Sequence, residues 1–269
     1  MTDDGARAAH TLDETVAYGS HPQQNAEVTF PAASGLPAPL VLLFHGGFWR
    51  EQWDREHLRP FATALAERGY VVANIEYRRV GGDGGWPNTL TDAATATDAL
   101  PELIDALEPG RIRRDAVVTV GHSAGGHLAL WTALRSLIPE GSPGWVATAP
   151  ALAGAIPLAG AVDLTEAHRL GEGNGAVSQF LGGSPDDVPE RYAAADPALI
   201  GTPPLPVVLI HGEKDDVLHV EMSRDYASRF GAAMVELDGG SHMDMIDQES
   251  AAWPLLLNAL SGIVASAGG

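Results

Sequence analysis

The feature that most constrains this chain is a repeated alternation of short apolar runs rich in branched residues with longer segments of helical periodicity. The candidate strands are Leu40 to Phe44, Val71 to Ile75, Val117 to Val120, Ala155 to Leu158, Val207 to Ile210 and Met234 to Leu237. Most of them lack polar alternation, as strands covered on both faces do. Between the first two, Leu58, Phe61, Ala62, Leu65 and Ala66 recur at steps of three and four, and Gly69 follows as a helix stop. Asp92 to Leu107, Gly126 to Arg135, Glu221 to Phe230 and Ser250 to Val264 repeat that pattern. A βαβα order predicts an α/β fold, a mostly parallel central sheet with helices on both faces.

No internal repeat or long Gly/Ser/Pro-rich linker interrupts the 269 residues, so residues 1–269 are read as one domain. The first 25 residues are expected to be poorly ordered. The Gly- and Pro-rich stretch 165–202 is expected to form an excursion of loops and short helices over one edge of the sheet. The charge balance of 16 Lys+Arg against 35 Asp+Glu gives −19, which repels phosphate backbones and anionic headgroups. Nucleic acid and membrane surfaces are therefore not expected partners. Zero cysteines exclude a disulfide framework, a thiolate metal site and a cysteine nucleophile. Met1 to His10 lacks the basic and apolar regions of a signal peptide, and the longest apolar runs are far shorter than the ~20 residues a bilayer needs. A cytoplasmic protein is the expectation, and a homodimer is compatible with it.

Gly121-His122-Ser123-Ala124-Gly125 has the form G-x-S-x-G between a predicted strand and a predicted helix. Such a turn pushes the serine hydroxyl out at the carboxyl end of the sheet, with glycines where side chains would collide with neighbouring elements. A serine hydroxyl becomes a useful nucleophile only when a histidine removes its proton and a carboxylate orients that histidine. Asp215 follows the strand Val207 to Ile210, and His242 follows the last strand. Both lie at the sheet edge that holds Ser123. Asp216 is the competitor for the acid role, and Asp215 is preferred on loop position. His45-Gly46-Gly47-Phe48-Trp49 follows the first predicted strand, where Gly47 and Phe48 are candidates for one oxyanion donor and Ala124 for the other. Phe48, Trp49, His122 and Trp86 are candidate pocket residues. Glu76-Tyr77-Arg78-Arg79 reads first as a solvated loop, with a pocket wall as the alternative. His57 and His168 read as solvated, and no metal-binding motif accompanies Glu213, Asp215 and Asp216.

Together, the HGGFW segment, the GHSAGG turn, His211-Gly212-Glu213-Lys214-Asp215 and His242 resemble the α/β-hydrolase superfamily. The H-G-G-x-W form is similar to kynurenine formamidases (arylformamidases) and their carboxylesterase-like relatives. The resemblance spans the chain from about Leu40 to the last helix. It implies catalysis without a cofactor, Ser123 as nucleophile, His242 as base and then acid, and Asp215 as its orienter, while no large lid domain is evident in the sequence. It further implies a small-molecule amide or ester substrate, first an aryl formamide such as N-formylkynurenine in tryptophan breakdown. The alternatives are a short-chain carboxylesterase of broad specificity and a ligand-binding module on a hydrolase scaffold. Where hormone-sensitive-lipase relatives have a further glycine, this chain has Phe48.

Overall fold

A computed structural model describes residues 12–32 and 37–268. The predicted apolar runs become six neighbouring parallel strands: β3 (Ala38–Phe44), β4 (Val71–Ile75), β5 (Ile112–His122), β6 (Gly154–Leu158), β7 (Val208–Gly212) and β8 (Ala233–Leu237). Two further strands, β1 (Leu12–Ala17) and β2 (Asn25–Phe30), extend the sheet at one edge with antiparallel pairing. The order is β1-β2-β4-β3-β5-β6-β7-β8, the mostly parallel arrangement of the α/β-hydrolase fold.

Side-chain alternation along β3 shows why the sheet needs helices on both faces. Leu40, Leu42 and Phe44 pack into one core and Val41 and Leu43 into the other, all without solvent exposure. The second core is covered by α1 (Arg59–Glu67) and the last helix, α9 (Ala252–Ala267). Trp253, Leu256, Leu260 and Ile263 of α9 are buried there, each contributing about 1.5–3 kcal/mol of apolar burial. The first core receives α2 (Asn88–Leu107), α3 (Ala124–Leu134) and α8 (Val220–Phe230). Every residue of α3 is buried, which suits a helix that is apolar all round.

Between β6 and β7 the predicted excursion consists of four short helices: α4 (Leu164–Leu170), α5 (Ala176–Leu181), α6 (Pro189–Ala195) and α7 (Pro197–Ile200). Buried Asp196, between α6 and α7, ties α4 to α7 by accepting from the N–H groups of Leu164 (3.0 Å), Thr165 (2.9 Å) and Ala198 (3.1 Å). Burial pushes its pKa up to about 6, and Asp163 adds to that push. Trp131 Nε1 and His127 Nε2 of α3 donate to the carbonyls of Ala194 and Ala195, each at 2.8 Å, docking α6 on the central helix.

The expectation of poor order over the first 25 residues is corrected for residues 12–25, which form β1 and a turn closed by a bond from Gln24 N–H to the His21 carbonyl (2.8 Å). Residues 1–11 of that stretch lie outside the described residues. In β2, Ala26, Val28 and Phe30 are buried, and this period-two pattern is the signal that could have revealed the strand. Among the described residues, no helix is long and apolar enough to cross a membrane.

Candidate active site

Ser123 sits between β5 and α3 with φ 57° and ψ −119°, a conformation that a non-glycine residue adopts only when its surroundings impose it. Three bonds impose it here. The Ser123 N–H donates to the Leu158 carbonyl (2.9 Å), and the Ser123 carbonyl accepts from His127 (3.1 Å) and Ala161 (3.3 Å). The flanking glycines are steric requirements: a Cβ on Gly125 would strike the backbone of Phe44 and His45, and one on Gly126 would lie 2.7 Å from Gly160 Cα. The motif thus packs the turn against β3 and the end of β6.

Asp215 lies in the loop after β7, and His242 in the loop after β8. The two loops are joined by bonds from Lys214 N–H to the Gly240 carbonyl (2.8 Å) and from Glu213 N–H to the Leu237 carbonyl (2.9 Å). His242 Nδ1–H donates to Asp215 Oδ2 at 2.7 Å, leaving Nε2 as the free nitrogen of the ring. Asp215 also accepts from His211 Nε2 (3.1 Å) and from the N–H groups of Val217 and Leu218 (2.8 Å each). Its side chain is fully buried, and burial alone would push its pKa up. The hydrogen bonds from His211 and His242 outweigh that push and hold the carboxyl well below the usual range. Asp216 is exposed, so Asp215 is the acid that meets the histidine.

Two cavities meet at Ser123. The outer one, about 240 Å³, is lined by Gly47, Phe48, Trp53, His57, His122, Ser123, Val217, His242 and Met243. The inner one, about 10 Å³, is lined by Phe48, Trp49, Ser123, Ala124, Glu172 and small apolar side chains from the β6–β7 excursion and Leu218. Of the predicted pocket residues, Phe48 borders both cavities, Trp49 the inner and His122 the outer. Trp86 lines neither: its N–H donates to the Phe180 carbonyl (2.7 Å), and its ring lies beneath Arg191. His122 also anchors the loop after β8, its Nε2–H donating to the His242 carbonyl (3.0 Å). Burial keeps that imidazole neutral by driving its pKa well down.

Gly47, Phe48 and Trp49 all have positive φ (109°, 55° and 56°), a strained run that curls the β3–α1 loop beside the serine. Among the described residues, none of the N–H groups of Gly47, Phe48 and Ala124 donates to another protein atom. Beneath the loop, the Glu76–Arg79 segment is a buried brace rather than a solvated loop or a pocket wall. Tyr77 OH donates to the His45 carbonyl (2.7 Å), its ring stacks on His45 at 4.3 Å, and Glu76 pairs with Arg79. His57 is exposed, as its sequence position suggests, and also borders the outer cavity, where partial burial lowers its pKa. Sequence reading missed the brace because a short polar stretch after a strand looks the same whether it faces water or supports a loop.

Comparison with known proteins decides the family. The model of the BD-FAE family matches residues 27–230. The chain belongs to the BD-FAE family. Among curated relatives of this BD-FAE protein, Esterase LipQ of Mycobacterium tuberculosis (strain ATCC 25618 / H37Rv) is 29% identical over 224 residues, covering 78% of this chain and 51% of LipQ. Esterase LipC of the same organism is 27% identical over 251 residues, covering 86% of this chain and 60% of LipC. The chain therefore spans about half to three-fifths of the length of these relatives. A truncated carbohydrate esterase from gut microbiota superposes with a TM-score of 0.75 at 17% identity, covering 97% of this chain and 99% of that one. Esterase 2 of Thermogutta terrifontis gives 0.71 at 20% identity, covering 95% and 92%. At these identities the structural likeness concerns the fold alone, and it supports the α/β-hydrolase architecture.

Proposed function

We propose that this BD-FAE protein is a serine esterase that hydrolyses small carboxylic esters through an acyl-enzyme. The observation that carries the reading is the 2.7 Å bond from His242 Nδ1 to buried Asp215, in a cavity that Ser123 and His242 line together. With Nδ1–H committed to Asp215, Nε2 of His242 takes the Ser123 proton as Oγ attacks the ester carbonyl. The N–H groups of Ala124 and of Gly47 or Phe48 stabilise the resulting oxyanion, each donor being worth about 2.7–4 kcal/mol of barrier. His242 returns the proton to the leaving oxygen, and water then repeats the sequence to free the acid. The two relatives described above, named as esterases, support the same chemistry.

The proton path orients the substrate. The leaving group must receive its proton from His242, so it occupies the outer cavity, where the half-exposed rings and chains of Trp53 and Met243 suit an apolar or aromatic alcohol. The acyl substituent takes the inner cavity, whose ~10 Å³ admits only a short group.

That same confinement supports a second reading, hydrolysis of an aryl formamide such as N-formylkynurenine, since formyl is the smallest acyl group. Specificity constants for p-nitrophenyl acetate and N-formyl-L-kynurenine test both. Ester preference, with an acyl burst and phosphonate labelling lost in Ser123→Ala, is the expected result. Formamide preference establishes the second reading, and a wild type left unlabelled with neither substrate turned over identifies a binding module.

A further inference from the structure

The inner cavity is small but not wholly apolar. Among the described residues, six buried side-chain nitrogen or oxygen atoms have no hydrogen-bond partner, and two of them, Trp49 Nε1 and Glu172 Oε2, belong to residues that line this cavity. Glu172 is held rigidly: its other oxygen, Oε1, accepts from His219 Nδ1 (2.6 Å) and from the His219 N–H (3.1 Å). Its side chain is only 5% exposed, so water outside the cavity does not satisfy Oε2. Trp49 is fixed by stacking on Phe180 at 4.6 Å and by an edge contact with His127 at 5.3 Å. A buried polar group without a partner is costly, so such groups mark the place where a ligand completes the set.

One atom is a donor and the other an acceptor, and this pairing selects the chemistry. A hydroxyl donates one hydrogen bond and accepts others, so its O–H suits the free Glu172 oxygen as a donor and its oxygen suits the Trp49 indole N–H as an acceptor. An ammonium group has no acceptor for the indole, a methyl group satisfies neither atom, and formyl reaches neither with a polar group. The cavity has room for about one water-sized group beside the reacting carbonyl. We propose that the inner cavity is a subsite for a short acyl group ending in a hydroxyl, a glycolyl-type 2-hydroxyacyl ester, with Glu172 and Trp49 as specificity-determining residues. This rests on the esterase reading, because that reading places the acyl group on the side away from His242.

Phenyl glycolate and phenyl propionate have the same size and differ by a hydroxyl against a methyl. Their kcat/KM values, each divided by the ester's own rate with hydroxide, give a preference corrected for intrinsic reactivity. The wild type is expected to favour glycolate at least about tenfold, since sites built to bond a substrate hydroxyl reject the analogue that lacks it. Glu172→Gln, which replaces the free acceptor by a donor, and Trp49→Phe, which keeps a stacking ring without the N–H, are each expected to cut the preference at least about fivefold. Should the first variant fail to fold, the wild-type ratio and Trp49→Phe still decide. Parity in the wild type, or a preference untouched by the folded variants, overturns the proposal. If p-nitrophenyl acetate is still hydrolysed, the esterase reading survives that failure; with no ester hydrolysed and Ser123 unlabelled by phosphonate, both fall.

Discussion

Two histidine–carboxylate contacts flank Ser123 at nearly equal distances: His242 to Asp215 at 2.7 Å and His45 to Glu76 at 3.0 Å. Distance does not tell them apart, but hydrogen placement does. In the first, Nδ1–H points at the carboxylate and the ring belongs to a residue lining the cavity that Ser123 also lines, with Nε2 left without a protein partner among the described residues. In the second, Nδ1–H donates to the Gly46 carbonyl (2.7 Å), and Nε2 accepts from the Arg79 guanidinium (3.3 Å), which in turn pairs with Glu76. Burial lowers the His45 pKa to about 3, so the ring stays neutral and its carboxylate neighbour serves Arg79. In the proposed esterase reaction the first pair accepts and returns a proton at the serine. The other braces the loop after β3, in which the positive φ angles of the non-glycine residues Phe48 and Trp49 are costly.

Substitutions can break this contrast. The largest effect expected is a fall of about 10⁴- to 10⁶-fold in kcat/KM for p-nitrophenyl acetate in His242→Ala, with the urea midpoint nearly unchanged. A large loss of stability there would mean that both histidines are structural. Next, Asp215→Asn should cost about 10⁴-fold, because the amide no longer holds the productive tautomer, whereas Asp216→Asn should stay within about threefold. Equal losses at the two positions would remove the distinction between them. At the other pair the effect belongs to folding: Glu76→Ala strands Arg79 in the interior and should lower stability by about 3–5 kcal/mol in urea titrations.

The smallest effect is a pH slope. His45 has a folded-state pKa of about 3 against 6.5 in the unfolded chain, so between those values the unfolded state binds the extra proton. Its contribution to stability is complete above pH 6.5 and declines as pH falls towards 3. His127, lowered to about 4 by burial, acts in the same direction. Asp196, raised to about 6, opposes them between about pH 4 and 6, but the two histidines outweigh it, so urea midpoints at pH 4, 5 and 7 should rise with pH, and His45→Gln should flatten the slope by up to about one proton. An unaltered slope would show that His45 is already charged in the native state.

Much of the fold was legible because apolar runs and helical stripes report burial directly. β4 begins and ends at the residues its sequence pattern marks, and α8 and α9 lie within about two or three residues of theirs. The G-x-S-x-G turn was legible for a steric reason, since a Cβ on Gly121 would strike the turn's own backbone and one on Gly125 the end of β3. The order Ser123, Asp215, His242 followed from strand ends alone. Edge strands were harder to read: β1 is largely exposed and mixes acidic with apolar residues, so its pairing with β2 is a tertiary fact.

The sequence by itself determined the α/β alternation, the strand-to-helix turn at Ser123 and the loops that carry Asp215 and His242. Those properties depend on local pattern and on which backbone positions tolerate no side chain. Tertiary structure alone decided that Asp215 rather than Asp216 meets His242, that Glu76 to Arg79 brace the loop from inside, and that Trp86 stays out of the pocket. It also decided that Glu172 and Trp49 share the cavity behind Ser123. Burial and hydrogen-bond partners come from residues distant in the chain, 27 positions for His242 and Asp215 and 47 for Glu172 and His219, and no local pattern encodes which distant group completes them.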